Sequence, residues 1–169
     1  MDFERMFAEH QDRVFAFSYS MTGIRAEAED VAQEVFLRAW RSLREWEPER
    51  VAALNARAWL CTIALNVVRN RVRAASSRPP LAATDAALLM VAAPGRGPES
   101  AVETEWLASR VASLPPAQRE AVVLVTVQGF PYADAAELVG RPVNTVKSDV
   151  HRGLAALRQL LEREEVLAV

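Results

Sequence analysis

Apolar side chains recur at helical spacing through most of this chain, and this periodicity constrains the fold more than any other feature. Over residues 26–43 they fall three, four and seven positions apart, which places them on one face of a helix. They are Ala28, Val31, Ala32, Val35, Phe36, Ala39, Trp40 and Leu43. The pattern returns from Trp59 onward, and dense β-branching occurs only at residues 122–127. The sequence therefore predicts an all-α fold.

A stretch rich in proline and glycine divides the helical patterns into two groups. Residues 75–100 hold four prolines and two glycines, which interrupt regular helices. We expect two small helical domains, at residues 1–74 and 101–169, joined by a flexible linker at 75–100. Within it, residues 81–91 are apolar enough to form a short helix or to lie in a groove.

Charge and cysteine content exclude several classes of protein. The 169 residues have a net charge of −2 and a pI near 5.8, which argues against coating nucleic acid by bulk electrostatics but leaves room for a local basic stripe. The single cysteine, Cys61, excludes an internal disulfide and favours a reducing compartment. His10, His151 and Cys61 lie far apart in sequence, so we expect no metal site, and we expect no cofactor.

No membrane segment is expected. The sequence contains no run of about 18 apolar residues. Its first residues lack the basic and then apolar profile of a secretory signal. We therefore expect a cytoplasmic protein without membrane insertion of its own.

Beside the apolar face of residues 26–43 runs a polar stripe with one exposed leucine. Its members share the spacing of three and four that lines one side of a helix: Asp30, Gln33, Glu34, Leu37, Arg38 and Arg41. Such a stripe is either a solvated face with pairs such as Glu34–Arg38 or a protein-docking surface. Leu37, in its middle, slightly favours docking.

A second polar edge lies on the helix predicted from Trp59 onward. It carries Asn66, Arg69, Asn70 and Arg73, and no acidic residue occurs between Arg50 and Asp85. Guanidinium and amide groups suit phosphate oxygens and base edges. The alternative is a solvated basic helix end, favoured by the helix dipole.

The third pattern predicts a helix-turn-helix. A helix over residues 133–139 ends at Gly140, which can adopt the left-handed conformation, and a second helix begins near Val143. The expected inward face is Val143, Val146, Val150, Leu154 and Leu157, and the outer face Asn144, Thr145, Lys147, Ser148, His151 and Arg152. Short polar and basic residues at this place are typical of a major-groove reader. A helical hairpin without a DNA role is the alternative.

Together these segments resemble the extracytoplasmic-function (group 4) sigma factors of bacterial RNA polymerase, members of the sigma-70 family. Residues 28–40, AEDVAQEVFLRAW, and 58–66, AWLCTIALN, are similar to signatures of sigma domain 2. Residues 114–120, LPPAQRE, and 144–148, NTVKS, resemble the opening and the recognition helix of sigma domain 4. The resemblance covers most of the chain and keeps the order of the family.

The resemblance implies a role for each stripe. The stripe from Asp30 to Arg41 would dock on the clamp helices of core RNA polymerase. The edge from Asn66 to Arg73 would contact the −10 element as it melts. The loop from Trp46 to Asn55 would capture a flipped base, at a cost of a few kcal/mol of unstacking. The helix from Val143 would read the −35 element, and an anti-sigma factor would cover these surfaces.

Two residues depart from the family pattern. Asp149 stands where a basic residue is common, and an acid beside the groove would repel phosphate, so we expect −35 contacts that are weaker or differently oriented. Gly153 stands where alanine is common, which costs roughly 1 kcal/mol in a helix interior.

The sequence leaves two other classes of function to weigh. A stand-alone helix-turn-helix regulator would explain the third pattern but not the first, and it would normally dimerise. An enzyme with Cys61 as nucleophile is disfavoured, because Cys61 borders an apolar helix face and no histidine is near in sequence.

Overall fold

The computed structural model describes residues 2–76 and 98–167, with side chains at 2–76 and 104–163. Within these ranges the chain is helical and contains no strand. The α-helices are α1 (Phe3–Thr22), α2 (Arg25–Glu45), α3 (Pro48–Ala52), α4 (Ala56–Ser76), α5 (Pro98–Ala112), α6 (Pro116–Val122), α7 (Tyr132–Val139) and α8 (Val143–Leu167). The all-α prediction is confirmed.

Helices α1, α2 and α4 pack around the core of the first half. The predicted face of α2 is buried at Val31, Val35 and Ala39, each fully inaccessible to solvent. Trp40 is the exception, since 40% of it is exposed and the guanidinium of Arg44 lies 4.7 Å from its ring centroid. On α4 the buried residues include Leu60, Cys61, Ala64 and Val67.

The β-branched run between the helices of the second half forms a π-helical turn, Val123–Val127, rather than a strand. The backbone N–H of Gln128 donates to the carbonyl of Val123 at 2.8 Å, five residues back. Such a wide turn is typical of short π-helical segments inside helices.

The helix-turn-helix prediction is confirmed in its local geometry. Gly140 ends α7 with φ +71°, and its N–H donates to the carbonyl of Ala136 at 2.9 Å. The N–H of Arg141 donates to the same carbonyl at 3.1 Å, so the turn closes as a glycine C-cap should.

The predicted inward face of α8 is partly wrong. Val146, Val150 and Leu157 are buried, but Val143 and Leu154 are 37% and 42% exposed. The buried position next to Leu154 is Gly153, where an added Cβ would lie 2.7 Å from Cγ2 of Val122. Because α6 and α8 approach this closely, glycine is required here for space. The predicted cost of glycine relative to alanine in a helix interior therefore does not apply at this position.

The two halves contact each other. Helix α5 packs along α1, where Ala108 joins Tyr19 and Ala28 in one buried cluster. An added Cβ at Gly23, which ends α1 with φ +71°, would lie 2.7 Å from Cβ of Ala112. One apolar core runs from Met6 in the first half to Leu157 in the second. Contact between the halves was not part of the prediction.

Most of the predicted linker, residues 77–97 with the apolar stretch at 81–91, lies outside the described residues. At its edges α4 continues to residue 76 and α5 begins at residue 98. Among the described residues, no helix combines the length and hydropathy needed to cross a bilayer.

We expect Gly153→Ala to destabilise the protein by about 1–3 kcal/mol, the usual cost of overpacking a core. Chemical denaturation measures this free energy. The double variant with Val122→Ala should recover part of the loss, because it removes the methyl group that the new Cβ would meet. A gain of about 1 kcal/mol in the single variant would show instead that helix propensity dominates.

Candidate nucleic-acid and protein interface

The first stripe lies on the outer face of α2. Asp30, Gln33, Leu37, Arg38 and Arg41 are exposed, and Glu34 is half-buried. Leu37 is 45% exposed among these polar groups. The stripe therefore offers an apolar contact framed by charges.

Glu34 connects this stripe to α4. Its carboxylate accepts hydrogen bonds from Arg38 on the same helix at 2.5 Å and from Arg71 of α4 at 3.1 Å. Burial raises the pKa of Glu34, but the hydrogen bonds from Arg71 and Arg38 outweigh burial, so the pKa lies below its ordinary value. Glu34 is thus held charged between two arginines.

Three of the four residues of the edge predicted to contact DNA are exposed, and the fourth is paired with another helix. Asn66, Asn70 and Arg73 are exposed on α4, as expected for a free binding edge. Arg69 is instead paired with Glu120 of α6: its Nε and Nη2 donate to the two carboxylate oxygens at 2.7 and 2.8 Å. Hydrogen bonding to Glu120 raises the pKa of Arg69.

A depression of about 390 Å³ lies between α2 and α4 and joins the first two stripes. It is lined by Arg38, Arg41, Ser42, Trp59, Ile63 and Asn66. Two guanidinium groups, an indole and an amide therefore face one open space, a combination that suits phosphate and base together.

The predicted base-capturing loop is ordered by internal contacts. Trp46 packs on Trp59, with ring centroids 4.9 Å apart, and the guanidinium of Arg50 lies 3.9 Å from the Trp46 ring centroid. Oδ1 of Asn55 accepts a hydrogen bond from the N–H of Ala58 at 3.2 Å, at the start of α4. The structure thus gives both residues local structural roles, and their role in base capture stays a prediction.

The predicted outer face of α8 is exposed at all six positions: Asn144, Thr145, Lys147, Ser148, His151 and Arg152. The Nζ of Lys147 lies 5.8 Å from the ring centroid of Tyr132, which connects α8 to the preceding helix. This face is therefore free to meet a ligand while the two halves are in contact.

The expectation that Asp149 lies beside the groove is wrong. Asp149 is only 6% exposed, so its carboxylate does not face a groove-bound ligand. It accepts a hydrogen bond from Arg141 in the turn and lies 3.8 Å from Nη2 of Arg152. The acid therefore fixes the turn against α8.

Sequence reasoning missed the residues that join the halves. Arg119 donates to the carbonyl of Met21 at 2.9 Å, and the amide of Gln128 donates to the carbonyl of Arg13 at 3.1 Å. Arg57 donates to the carbonyl of Gln128, and its guanidinium lies 4.2 Å from the Phe130 ring centroid. These partners are 71 to 115 residues apart, so no local pattern could reveal them.

The other reactive groups of the described residues do not assemble into a site. Among the described side chains, no three His, Cys, Asp or Glu residues are grouped to hold a metal ion. Cys61 is buried, and burial raises the pKa of its thiol to about 11. It is therefore a poor nucleophile at neutral pH.

Comparison with known families identifies both halves. Residues 6–78 match Sigma-70 region 2, and residues 104–157 match Sigma-70, region 4. The chain is 35% identical to the ECF RNA polymerase sigma factor EcfG of Rhodopseudomonas palustris, over 86% of this chain and 77% of that protein. It is 30% identical to SigW of Bacillus subtilis, over 90% and 84% of the two chains. It is also 30% identical to SigE of Mycolicibacterium smegmatis, over 95% of this chain but only 62% of that protein.

Solved structures show the same fold. The chain is similar to the sigma factor RpoE in complex with the anti-sigma factor NepR from Bartonella quintana, with TM-score 0.72, 26% identity, and 95% and 97% of the two chains covered. It is also similar to CnrH in complex with the cytosolic domain of CnrY, with TM-score 0.67, 25% identity, and 95% and 88% covered.

We expect Asp149→Ala to destabilise the second half by about 1–3 kcal/mol, since it removes one of the two carboxylates that Arg141 contacts in a part-buried turn. Thermal melting followed by circular dichroism measures this effect. Glu137→Ala is a suitable control, because Glu137 is an exposed acid on α7. Wild-type stability in Asp149→Ala would contradict the role of this acid in fixing the turn.

Proposed function

The chain belongs to the extracytoplasmic-function sigma factors of the sigma-70 family, and from that premise we propose which surfaces perform each step. It binds core RNA polymerase through the stripe on α2, and directs the enzyme to promoters through the edge of α4 and the outer face of α8. The observation that carries this proposal is the exposure of the α2 stripe, of most of the α4 edge and of the outer face of α8 on a chain matched by both sigma regions.

The proposed polymerase contact centres on Leu37. An exposed leucine framed by Asp30, Arg38 and Arg41 combines apolar burial with orientation by charge, as in typical protein interfaces. This feature favours a sigma factor over a stand-alone regulator, which needs no such surface.

Promoter reading is divided between the halves. The edge of α4 contacts the −10 element as it melts, through Asn66, Asn70 and Arg73, and through Arg69 once it is released from Glu120. The loop from Trp46 to Asn55 captures a flipped base. The six exposed residues of α8 read the −35 element in the major groove. Phosphate contacts set the register, and base contacts specify sequence.

The polymerase supplies the chemistry, and we assign no catalytic residue to this chain. The one cysteine is buried with a raised pKa, which argues against covalent catalysis. An anti-sigma factor is the proposed regulator, because a similar sigma factor was solved in complex with the anti-sigma factor NepR. We propose a cytoplasmic activity, because core RNA polymerase and promoter DNA are the proposed partners.

In vitro transcription tests the proposal directly. Core RNA polymerase with this protein should initiate RNA at new sites on genomic DNA, each preceded by two shared sequence elements at constant spacing. Mapping RNA 5′ ends measures this outcome. Identical start sites with and without the protein would contradict the proposal.

The polymerase surface has its own test. Leu37→Asp should weaken binding to core polymerase by roughly tenfold or more, because a hot-spot side chain at an interface contributes about 1.4 kcal/mol or more. Leu107→Asp is the matched control, since Leu107 is 50% exposed but lies on α5, outside the stripe. Equal losses in both variants, measured by biolayer interferometry, would remove Leu37 from the interface.

A further inference from the structure

We infer that Asp149 is a positioning residue for −35 recognition, which directs the guanidinium of Arg152 to read one guanine in the major groove. Asp149 does not itself touch DNA, because it is buried beneath the outer face of α8. The inference rests on the proposed function, since it names the base that one residue of this face selects.

The two oxygens of Asp149 are divided between two arginines. Oδ2 accepts a hydrogen bond from Nη1 of Arg141 in the turn, and Oδ1 lies 3.8 Å from Nη2 of Arg152, three residues further along α8. The side chain of Asp149 is 9% exposed, whereas that of Arg152 is 62% exposed. A buried carboxylate thus lies behind an exposed guanidinium, where their attraction is stronger than between two groups in bulk water.

The carboxylate is fixed from its other side. Nη2 of Arg141 donates to the carbonyl of Ala117 at 3.0 Å and lies 3.4 Å from the carboxylate of Glu120, and both of these residues belong to α6. Arg141 therefore holds Asp149 against the turn and α6 together. Because the acid is fixed in this way, its attraction restricts the more mobile partner, which is the side chain of Arg152.

The restriction directs Arg152 toward the part of α8 that meets bases. Arg152 lies in the third turn of α8, whereas a recognition helix contacts base edges mainly with its N-terminal residues. Its Nε donates to the carbonyl of Ser148 at 3.4 Å, and its Nη2 faces Asp149, so both contacts draw the side chain toward the helix N-terminus. The guanidinium therefore extends along the ridge that carries Asn144 and Ser148, each four residues from the next.

A guanidinium held in this way suits guanine better than phosphate. The distance of 3.8 Å to Asp149 is longer than a hydrogen bond, so the N–H donors of Arg152 keep their capacity for DNA. Guanine presents O6 and N7 in the major groove, and the arginine fork meets both acceptors at once. The carboxylate offsets the positive charge that attracts a phosphate, while the fork can still donate to a neutral base. Holding the side chain in advance also lowers the entropy lost on binding.

The holoenzyme tests this inference on a promoter library. Core RNA polymerase with the full-length chain transcribes templates whose −10 element is fixed and whose −35 element is randomised, and RNA sequencing counts the product of each template. The wild-type chain should favour a guanine, on one strand at one −35 position, by about tenfold or more. Arg152→Lys keeps the charge but loses the fork, so it should reduce this preference to about threefold or less.

Asp149→Asn separates positioning from folding. The amide oxygen can still accept a hydrogen bond from Arg141, but the amide N–H₂ does not attract the guanidinium of Arg152. The guanine preference should fall by about threefold or more, while preferences at the other −35 positions stay unchanged. Two controls should leave all of these preferences as they are: Asp134→Asn at an exposed acid in the first turn of α7, and Arg158→Ala at an exposed arginine further along α8.

A measurement on the wild-type chain without polymerase keeps the test decisive if Asp149→Asn fails to fold by circular dichroism. Rotation of each guanidinium about its Nε–Cζ bond is measured by NMR exchange between the two Nη atoms. This rotation should be severalfold slower in Arg152 than in Arg158, because Arg158 has no ion-pair partner among the described residues. Equal rotation rates in the two arginines would overturn the inference.

Loss of the same guanine preference in Arg152→Lys and in Asp149→Asn supports the inference. Loss in Arg152→Lys alone would show that Asp149 does not position the reader, and loss at every −35 position in Asp149→Asn would reduce the acid to a structural role. An unchanged preference in Arg152→Lys would show that Arg152 does not read guanine. Failure of the proposed function is a separate result, because the wild-type holoenzyme would then transcribe no template of the library more than core polymerase does.

Discussion

The bidentate pair between Arg69 and Glu120 is the interaction on which the arrangement of this molecule depends. It joins helices that are 51 residues apart in sequence, and it closes the side of an apolar core that both halves share. Because Glu120 also lies 3.4 Å from Arg141, the same carboxylate connects helix α4 to the helix-turn-helix. One acid therefore takes part in both the contact between the halves and the support of the turn.

Local features of the fold were predictable from sequence. The apolar period of residues 26–43 correctly placed Val31, Val35 and Ala39 in the core, because a helix repeats its face within a few residues. Gly140 marked the end of α7, because few residues other than glycine adopt positive φ there without strain. The exposed stripes on α2 and α8 followed from the same periodicity.

Features that depend on distant parts of the chain were not predictable. The sequence predicts Asp149 to be an acid beside a groove, and only the position of Arg141 shows that it is paired within the turn. The sequence likewise predicts Gly153 to weaken its helix, and only the position of Val122 shows that a larger side chain would not fit. Arg69 was grouped with Asn66 and Asn70 by spacing, but a partner 51 residues away separates it from them. The functional assignments of all three stripes remain predictions, since they concern partners other than this chain.

The separation of the halves on binding polymerase tests this account most directly. Fluorophores on Ala26→Cys and Ala155→Cys would report it by single-molecule energy transfer, since both positions are exposed and Cys61 is buried. The account predicts high transfer in the free chain and low transfer in the complex with core polymerase and promoter DNA. Equally high transfer in both states would contradict it.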